Sequence, residues 1–526
     1  MRITSLAAIG GVALIISPLA IADYSLTILH TNDFHSRFEP ISKYDSGCSA
    51  EDNTEGKCFG GAARLVTAVS EARARTNNSI LVDGGDQFQG SLFYTYYKGK
   101  AAAEMMNTLE YDGMTVGNHE FDDGPEVLRG FMDAVKFPVL MSNADVSKEP
   151  ALADVLKKST VIERGGEKIG LIGLTPEDTD ELSSPGKAIT FSDPVPAVQA
   201  EVDALAAMGV NKIVVLSHSG YRVDLHVASK VTGVDVIVGG HSNTLLSNTN
   251  DRAKGPYPTM VGSTAVVQAY AYGKLLGELN VTFDDDGNLT SATGEPVVID
   301  AEVAENDTML ARVSELAEPL EEIRNKVVAE SAALIEGNRD VCRAQECSMG
   351  NLVAEASLAR VKDQGISIAI VNSGGLRASI DKGEITMGDV LTVLPFQNTL
   401  ATFQLTGEDV VAALENGVSQ VEELKGRFPQ VAGLKYTWDS SIAPMEGRIK
   451  EVMVQNGDDW AAIDNAAIYG LVTNNYVRGG GDGYKVFANN AINAYDFGPS
   501  LETVVADYLA ENAPYQPFTD GRIVKK

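Results

Sequence analysis

Short apolar runs alternate with amphipathic segments over the first 300 residues, and this alternation constrains the fold more than any other feature. The runs have the length and β-branched content of buried strands, whereas segments such as 62–75 and 99–109 carry apolar residues at helical spacing. The expected strands are Leu26–Leu29, Ser79–Val82, Met114–Val116, Val139–Met141, Ile169–Ile172, Ile213–Leu216 and Val234–Val238. Such alternation predicts a layered α/β domain with a mainly central sheet.

A chain of 526 residues is too long for one hydrophobic core, so we expect at least two domains. The first α/β domain is assigned to residues 23–305. Apolar residues at helical spacing predict a linker helix over residues 306–332. Residues 333–526 have their own strands, such as 366–371, and glycine-rich loops, so they are assigned to a second α/β domain.

Residues 1–22 have the features of an export signal. Arg2 supplies positive charge, an apolar run extends from Leu6 to Ile21, and Ala20-Ile21-Ala22 resembles a cleavage site. A membrane anchor is the alternative, but the run is short and polar residues follow it at once. The C-terminal residues lack the hydrophobic tail of a lipid-anchor signal. We therefore expect a periplasmic or secreted protein without a membrane anchor.

The cysteines form two local pairs, Cys48 with Cys58 and Cys342 with Cys347. A zinc–thiolate site is the alternative, but neither pair has further ligands at metal-binding spacing. In an oxidising compartment the closeness of each pair predicts two local disulfides.

The chain is acidic, with 42 Lys and Arg against 72 Asp and Glu and a net charge of -30. Nucleic-acid polymers and anionic membranes would be repelled, so neither is expected as a partner. A small anionic substrate is still compatible, because metal ions or arginines can reverse the field inside one cleft.

Potential metal ligands follow five of the expected strands, and they are Asp33 with His35, Asp83 with Asp86, Asn118 with His119, His218, and His241. The carboxyl ends of strands in an open α/β sheet face the ligand crevice, so these side chains should meet at one edge. Any one of them could be structural or a helix cap. Together, oxygen and nitrogen ligands without thiolate suit a two-metal site for phosphoryl transfer. His30 and His226 fall outside the pattern and are expected to be structural.

Five motifs resemble the successive metal motifs of the 5'-nucleotidase branch of the calcineurin-like metallophosphatases: TNDFHSR (31–37), DGGD (83–86), GNHEFD (117–122), SHSG (217–220) and GGHSNT (239–244). The resemblance extends over nearly the whole chain after residue 22. It is especially close to the ecto-5'-nucleotidases of animals and looser to bacterial periplasmic nucleotidases and UDP-sugar hydrolases. It implies an N-terminal four-layer α/β sandwich, a linker helix and a C-terminal α/β nucleotide-binding domain.

The resemblance also implies roles for the residues of the first domain. Asp33, His35 and Asn243 would bind one divalent metal ion, Asn118, His218 and His241 would bind a second, and Asp86 would bridge the two. Zinc is favoured, with manganese, cobalt or iron as alternatives. Asp83 would be structural. His119 would be the catalytic histidine, with Asp122 orienting its ring.

The second domain carries the motifs CRAQECSMGNL (342–352), VNSGGLR (371–377), LPF (394–396), TNNY (473–476) and GGGDG (479–483). Each alone could belong to a core or a turn. By the resemblance, Phe396 and Tyr476 would stack on the base, and Asp482 and Asn372 would hold the nucleoside. Arg37, Arg343 and Arg377 would bind phosphate. Stacking tolerates any base, so the expected partner is a small nucleotide of unspecified base.

The expected activity is hydrolysis of nucleoside 5'-monophosphates such as AMP to nucleoside and phosphate. A broader hydrolase acting on UDP-sugars, nucleoside di- or triphosphates or 2',3'-cyclic nucleotides would use the same metals. An inactive nucleotide-binding protein is less favoured, because the whole metal set and His119 are present. Whether the chain forms a homodimer is left open.

Overall fold

The structure is a computed structural model that describes residues 23–43, 48, 50–396, 398–457, 459–495 and 498–526. The expected export signal, residues 1–22, lies outside the described residues. Within the described ranges, no helix combines the length and the apolar character that a membrane span requires.

The N-terminal domain consists of strands and helices in alternation. Its strands are β1 (Tyr24–Thr31), β2 (Ser79–Asp83), β3 (Gly113–Thr115), β4 (Val139–Leu140), β5 (Ala144–Asp145), β6 (Ser159–Arg164), β7 (Glu167–Leu174), β8 (Thr190–Phe191), β9 (Ile213–Ser217), β10 (Val236–Val238), β11 (Thr259–Val261), β12 (Thr264–Val267), β13 (Leu275–Phe283), β14 (Leu289–Gly294) and β15 (Val297–Val298). Its helices are α1 (Ala50–Thr54), α2 (Ala62–Ala74), α3 (Leu92–Tyr97), α4 (Lys100–Leu109), α5 (Pro125–Ala134), α6 (Thr179–Leu182), α7 (Pro194–Ala207) and α8 (Tyr221–Lys230).

Two large sheets pack face to face in this domain. One has the order β14-β13-β1-β2-β3-β4, with β15 also paired to β13, and the other has the order β11-β12-β10-β9-β7-β6. Residues such as Ile28, Ile80, Leu171 and Leu216 fill the space between the sheets. Helices α2, α4 and α5 cover the outer face of the first sheet, and α7 and α8 cover the second. This confirms the four-layer sandwich.

The apolar pattern alone predicted one central sheet, and the structure has two. The reason is that a strand buried on both faces reads as a continuous apolar run whether helices or a second sheet cover it. The pattern therefore located the strands but could not divide them between sheets.

The strands that lead into the candidate metal ligands run parallel within each sheet. Strands β1, β2 and β3 are parallel neighbours in the first sheet, as are β7, β9 and β10 in the second. Their carboxyl ends approach each other where Gly84 meets Gly240. A Cβ atom at Gly240 would lie 2.5 Å from the carbonyl oxygen of Gly84, so only glycine allows this approach.

Helix α9 (Asp307–Arg324) joins the domains. Asn306 caps its N-terminus, because the Asn306 side chain accepts a hydrogen bond from the Met309 amide at 3.0 Å. The helix ends at Arg324, well before residue 332. Residues Val327–Ser331 form strand β16, which pairs antiparallel with residues 383–386. Val327 and Val328 are β-branched, and such residues favour a strand over continuation of the helix.

The C-terminal domain contains β16, α10 (Arg339–Cys342), α11 (Ser348–Val361), β17 (Ile368–Asn372), β18 (Gly383–Thr386), α12 (Met387–Val393), β19 (Leu400–Thr406), α13 (Gly407–Gly417), β20 (Pro429–Ala432), β21 (Leu434–Trp438), β22 (Ile449–Asn456), β23 (Asp459–Ala462), β24 (Ile468–Asn474), α14 (Asn475–Arg478), α15 (Lys485–Asn490), β25 (Ile492–Tyr495), α16 (Leu501–Glu511) and β26 (Ile523–Lys525). A five-stranded sheet has the order β20-β17-β24-β19-β25, and a four-stranded sheet has the order β23-β22-β21-β26. Separate hydrophobic cores, one with α11 and α16 and one with α13 and α15, cover the five-stranded sheet.

Both predicted disulfides are present, Cys48–Cys58 in the N-terminal domain and Cys342–Cys347 in the C-terminal domain. The Cys342–Cys347 bond closes the loop between α10 and α11, and this loop carries Arg343.

Candidate active site

Carboxylate and imidazole groups from the strand-end loops converge into two clusters. One cluster contains Asp33, His35 and Asp86, the other contains Asp86, His218 and His241, and the candidate ligand atoms within each lie within 4.8 Å of one another. Asp86 is common to both clusters. This is the arrangement that a carboxylate bridging two metal ions requires.

The hydrogen bonds of His35 show which of its nitrogens can face a cation. Its Nδ1 lies 2.9 Å from the carbonyl oxygen of Phe88, which can only accept, so Nδ1 carries the proton. Burial lowers the pKa of His35 to about 4 even though Asp86 acts to raise it, so the ring is neutral at pH 7. Its Nε2 lone pair therefore faces Asp33 Oδ1 at 3.9 Å and Asp86 Oδ2 at 3.8 Å. Three electron-rich atoms directed at one point fit a divalent cation.

His218 comes from the second sheet and is held in the same way, by a backbone carbonyl of the first sheet. Its Nδ1 lies 2.6 Å from the carbonyl oxygen of Gly84, and its Nε2 lies 2.9 Å from Asp86 Oδ2 without the alignment of a hydrogen bond. Burial lowers the pKa of His218, but the Asp86 and Asp33 carboxylates outweigh it and raise that pKa to about 10. The two carboxylates therefore stabilise positive charge at Nε2 of His218, whether that charge is a proton or a metal ion.

The remaining proposed ligands lie on the loops after β3 and β10. The Oδ1 atom of Asn118 is 2.9 Å from Nδ1 of His241, and the His241 amide donates to both Asp33 oxygens at 3.1 and 3.0 Å. Asn243 is two residues further on, and its Oδ1 atom is buried without a hydrogen-bond partner. A buried amide oxygen without a donor is suited to metal coordination.

Backbone strain is concentrated at these positions. Five of the seven proposed metal ligands adopt positive φ angles, namely Asp33 (50°), His35 (50°), Asp86 (60°), His241 (69°) and Asn243 (48°). Such conformations cost roughly 1–3 kcal/mol each for residues other than glycine, and they persist where surrounding contacts impose them, commonly at functional sites.

His119 and Asp122 form a hydrogen-bonded pair next to the clusters. His119 belongs to a 3-10 turn, its amide donates to Asp86 Oδ1 at 2.9 Å, and its Nδ1 lies 2.7 Å from Asp122 Oδ2. Burial lowers the pKa of His119, but the Asp122 and Asp86 carboxylates outweigh burial and raise that pKa to about 10. The ring is partly exposed, so a protonated imidazole is accessible beside the two clusters.

Glu120 is a residue of this site that the sequence analysis did not single out. Its fully buried carboxylate accepts hydrogen bonds from four backbone amides: Asp86 (3.0 Å), Gln87 (2.8 Å), Phe88 (3.2 Å) and Gly117 (2.7 Å). It therefore ties the loop that carries Asp86 to the loop that carries Asn118 and His119. The only signal the sequence offers is the position of Glu120 directly after Asn118 and His119, a proposed metal ligand and the proposed catalytic histidine.

The candidate nucleoside residues meet at the ends of β17 and β24. Asn474 donates to Asn372 at 2.9 Å, and Asn372 donates to Asp482 Oδ2 at 2.7 Å. The Asp482 amide donates to the Tyr476 hydroxyl at 3.1 Å, and the Tyr476 ring is 49% exposed. Phe396 lies just beyond α12, with the Arg377 guanidinium carbon 5.4 Å from its ring centroid.

Arg343 is a buried cation in the same domain. Its Nη1 donates to the carbonyl oxygen of Leu424 at 3.1 Å, whereas its Nε is buried without a hydrogen-bond partner. Burial, followed by the repulsion of Arg339 and Arg377, lowers the pKa of Arg343 to about 10. An anion would relieve both the repulsion and the unsatisfied donor.

Arg37 lies on the metal side of the site. Its guanidinium carbon is 5.4 Å from the ring centroid of Tyr272, and that ring is 5.7 Å from the His35 ring. A cleft of about 840 Å³ separates the domains, and its lining includes Arg37 from one domain and Pro395, the neighbour of Phe396, from the other. The structure thus groups Arg37 with the metal residues, and Arg343 and Arg377 with the nucleoside residues.

Known proteins match the chain over both domains. Residues 26–244 match the family described as calcineurin-like phosphoesterase, and residues 327–489 match the family described as 5'-nucleotidase, C-terminal domain. A 5'-nucleotidase from Diplobatis ommata is 38% identical over 96% of this chain and 90% of that protein. The snake venom 5'-nucleotidase from Naja atra is 36% identical over 95% and 98%. A solved structure of a 5'-nucleotidase precursor from Thermus thermophilus has a TM-score of 0.77 and 40% identity, covering 95% of this chain and 99% of that chain.

The position of Glu120 predicts that Glu120→Gln weakens metal binding. The variant replaces one acceptor oxygen with an NH2 group that faces backbone N–H donors, so the Asp86 and Gly117 loops should separate. Metal affinity, measured by competition with a chelator, should fall about 10- to 100-fold, as for other residues that orient ligands.

Two controls bracket this measurement. Asp86→Ala should lose metal outright, whereas Glu126→Gln, at an exposed position of α5, should bind metal as the wild type does. Unchanged metal affinity in Glu120→Gln would show that Glu120 does not position the ligand loops.

Proposed function

The chain belongs to the 5'-nucleotidase family of calcineurin-like phosphoesterases, which are metal-dependent hydrolases, and we propose that it converts nucleoside 5'-monophosphates such as AMP to nucleoside and phosphate. The observation that carries this proposal is the pair of ligand clusters that share Asp86. A shared carboxylate suits a site that binds both the attacking and the leaving oxygen of a phosphate ester.

In this proposal Asp33, His35 and Asn243 would hold one divalent ion, Asn118, His218 and His241 would hold the other, and Asp86 would be shared by the two. The neutral His35 ring and the buried Asn243 oxygen support the fit. Imidazole and carboxylate ligands favour zinc, with manganese, cobalt or iron as alternatives. Two such ions supply charge neutralisation of the phosphate and activation of the attacking water.

His119 and Asp122 act on the phosphoryl group in this proposal. Asp122 accepts a hydrogen bond from the Nδ1–H group of His119 at 2.7 Å. This contact fixes the ring orientation and favours the protonated form of the imidazole. The protonated ring then donates a hydrogen bond to a phosphoryl oxygen and stabilises the charge that develops there.

Substrate binding is divided between the domains. Arg37 approaches the phosphate from the metal side, and Arg343 and Arg377 approach it from the other side. The buried Arg343 Nε atom, which lacks a hydrogen-bond partner, supports a role in anion binding. Phe396 and Tyr476 stack on the base. Asp482 accepts hydrogen bonds from the nucleoside, and Asn372 helps to hold it.

We also place the protein outside the cytoplasm, in the periplasm or secreted. Two disulfides suit an oxidising compartment, and the Naja atra relative is by its name a venom protein. The expected export signal at residues 1–22 is consistent with this location.

Substrate specificity is tested by a comparison of AMP with UDP-glucose, ATP and 2',3'-cyclic AMP. Phosphate release should be fastest with AMP when the four substrates are assayed at equal concentration with added zinc or manganese. A higher kcat/KM for any of the other three would replace the monophosphatase proposal with that of a broader nucleotide hydrolase.

The role of His119 is tested by His119→Ala. The variant should lose about 10²- to 10⁴-fold in kcat, the contribution expected of a positioned proton donor. Its metal content, measured by elemental analysis, should equal that of the wild type. Loss of metal together with activity would instead identify His119 as a ligand.

The stacking residues are tested with the double variant Phe396→Ala, Tyr476→Ala. Its kcat/KM for AMP should fall about 5- to 150-fold, because stacking contributes about 1–3 kcal/mol per base. Hydrolysis of p-nitrophenyl phosphate, which has no base, should change little.

Tyr96→Ala is the matched control, because Tyr96 is 52% exposed and lies in the other domain. Equal losses on AMP and p-nitrophenyl phosphate in the double variant would mean that the two aromatics support the fold. Retained activity on both would mean that the base binds elsewhere.

A further inference from the structure

The carboxylate of Asp122 accepts hydrogen bonds from three side chains, of which His119 is only one. Gln89 donates through Nε2 at 2.8 Å to Oδ2, the same oxygen that accepts from His119 Nδ1 at 2.7 Å. Ser183 donates through Oγ at 2.8 Å to the other oxygen, Oδ1. Both oxygens of Asp122 are therefore occupied by donors.

The two additional donors come from different parts of the N-terminal domain. Gln89 is in the loop after β2, three residues beyond Asp86, with a positive φ of 71°. Its Oε1 atom accepts from the Gly90 amide at 3.1 Å, which fixes the side-chain amide so that Nε2 faces Asp122. Ser183 follows α6, and its own amide donates to the Thr179 carbonyl at 3.0 Å.

These contacts limit the rotation of the Asp122 carboxylate. A carboxylate on a single sp³–sp² bond has a broad torsional preference, so one hydrogen bond to His119 would not hold its plane. Donors on both oxygens hold it. Both donors are neutral, so they orient Asp122 without offering an alternative ion pair that would draw it away from His119.

We propose that Gln89 and Ser183 are positioning residues for the His119–Asp122 pair. They act through Asp122 on the orientation of the His119 ring, and they touch neither the substrate nor the metal ligands in this role. The inference rests on the proposed catalytic role of His119. Since small displacements of a catalytic group lower the rate, loss of either contact should lower kcat more than it raises KM.

The first measurement is the kinetics of Ser183→Ala and of Gln89→Leu, Ser183→Ala. Ser183→Ala should lower kcat about 2- to 12-fold on both AMP and p-nitrophenyl phosphate, the factor of one neutral hydrogen bond. The double variant should lose roughly 10- to 100-fold. KM for AMP and metal content should stay at wild-type values, and Ser183→Thr, which keeps the hydroxyl, should restore kcat.

Ser159→Ala is the matched control. Ser159 lies on strand β6, is also half-buried, and donates a hydrogen bond to the carboxylate of Glu201 at 2.6 Å. It should leave kcat unchanged. If Ser159→Ala and Ser183→Ala lower kcat equally, the loss reports general destabilisation, and the proposal is wrong.

The decisive measurement places Ser183→Ala in the His119→Ala background. A residue that acts only through His119 should have no further effect there. A further loss equal to that in the wild-type background would overturn the proposal, as would unchanged kcat in Ser183→Ala. If His119→Ala itself retains wild-type kcat, the catalytic role of His119 fails instead, so the two failures can be told apart.

Discussion

The buried carboxylates of Asp33 and Asp86 are the constraint on which the rest of the N-terminal domain depends. A charged group removed from water is destabilising by several kcal/mol unless opposite charge or hydrogen bonds compensate it. Here compensation comes from both sheets: the His119 amide donates to Asp86, and the His241 amide donates to Asp33. The sheets must therefore close at this edge, and the contact of Gly84 with Gly240 permits it. The strain at the ligand loops is a consequence of the same closure.

Positively charged arginines lie at the proposed substrate site although the chain as a whole is strongly negative. The overall charge is -30, yet Arg37 lines the cleft between the domains, and Arg343 and Arg377 lie close enough to repel each other in the C-terminal domain. The repulsion between the buried Arg343 and the partly buried Arg377 would be offset by an anion bound between them, such as the phosphate of the proposed substrate. Divalent ions on the opposite side would act in the same direction. An acidic protein can thus bind an anionic substrate, because short-range fields in a low-dielectric cleft outweigh distant surface charge that salt screens.

The sequence predicted the strands and the clustering of ligand residues well, and it failed where an outcome depends on distant contacts. Strand ends are local, so Asp86 and His218 could be assigned to one edge without coordinates. The number of sheets, the end of α9 at Arg324 and the donors around Asp122 could not be assigned. Glu120 shows the reason most directly: its partners are backbone amides of residues 86–88 and 117, and a backbone amide has no sequence signature. The role of such a residue is visible only when the loops are in place.

The contacts at the end of helix α9 connect the orientation of the C-terminal domain to the position of Phe396. Arg324, the last residue of α9, pairs with Glu39 at 2.8 Å, two residues beyond Arg37. The amide of Met387, at the start of α12, donates to the Lys326 carbonyl at 2.9 Å, and Leu391 of α12 packs against the core of the N-terminal domain. Phe396 lies just beyond the other end of this short helix. Any rotation of the C-terminal domain about the end of α9 would therefore move Phe396 relative to Arg37, so the proposed stacking surface and the proposed phosphate site cannot be adjusted independently.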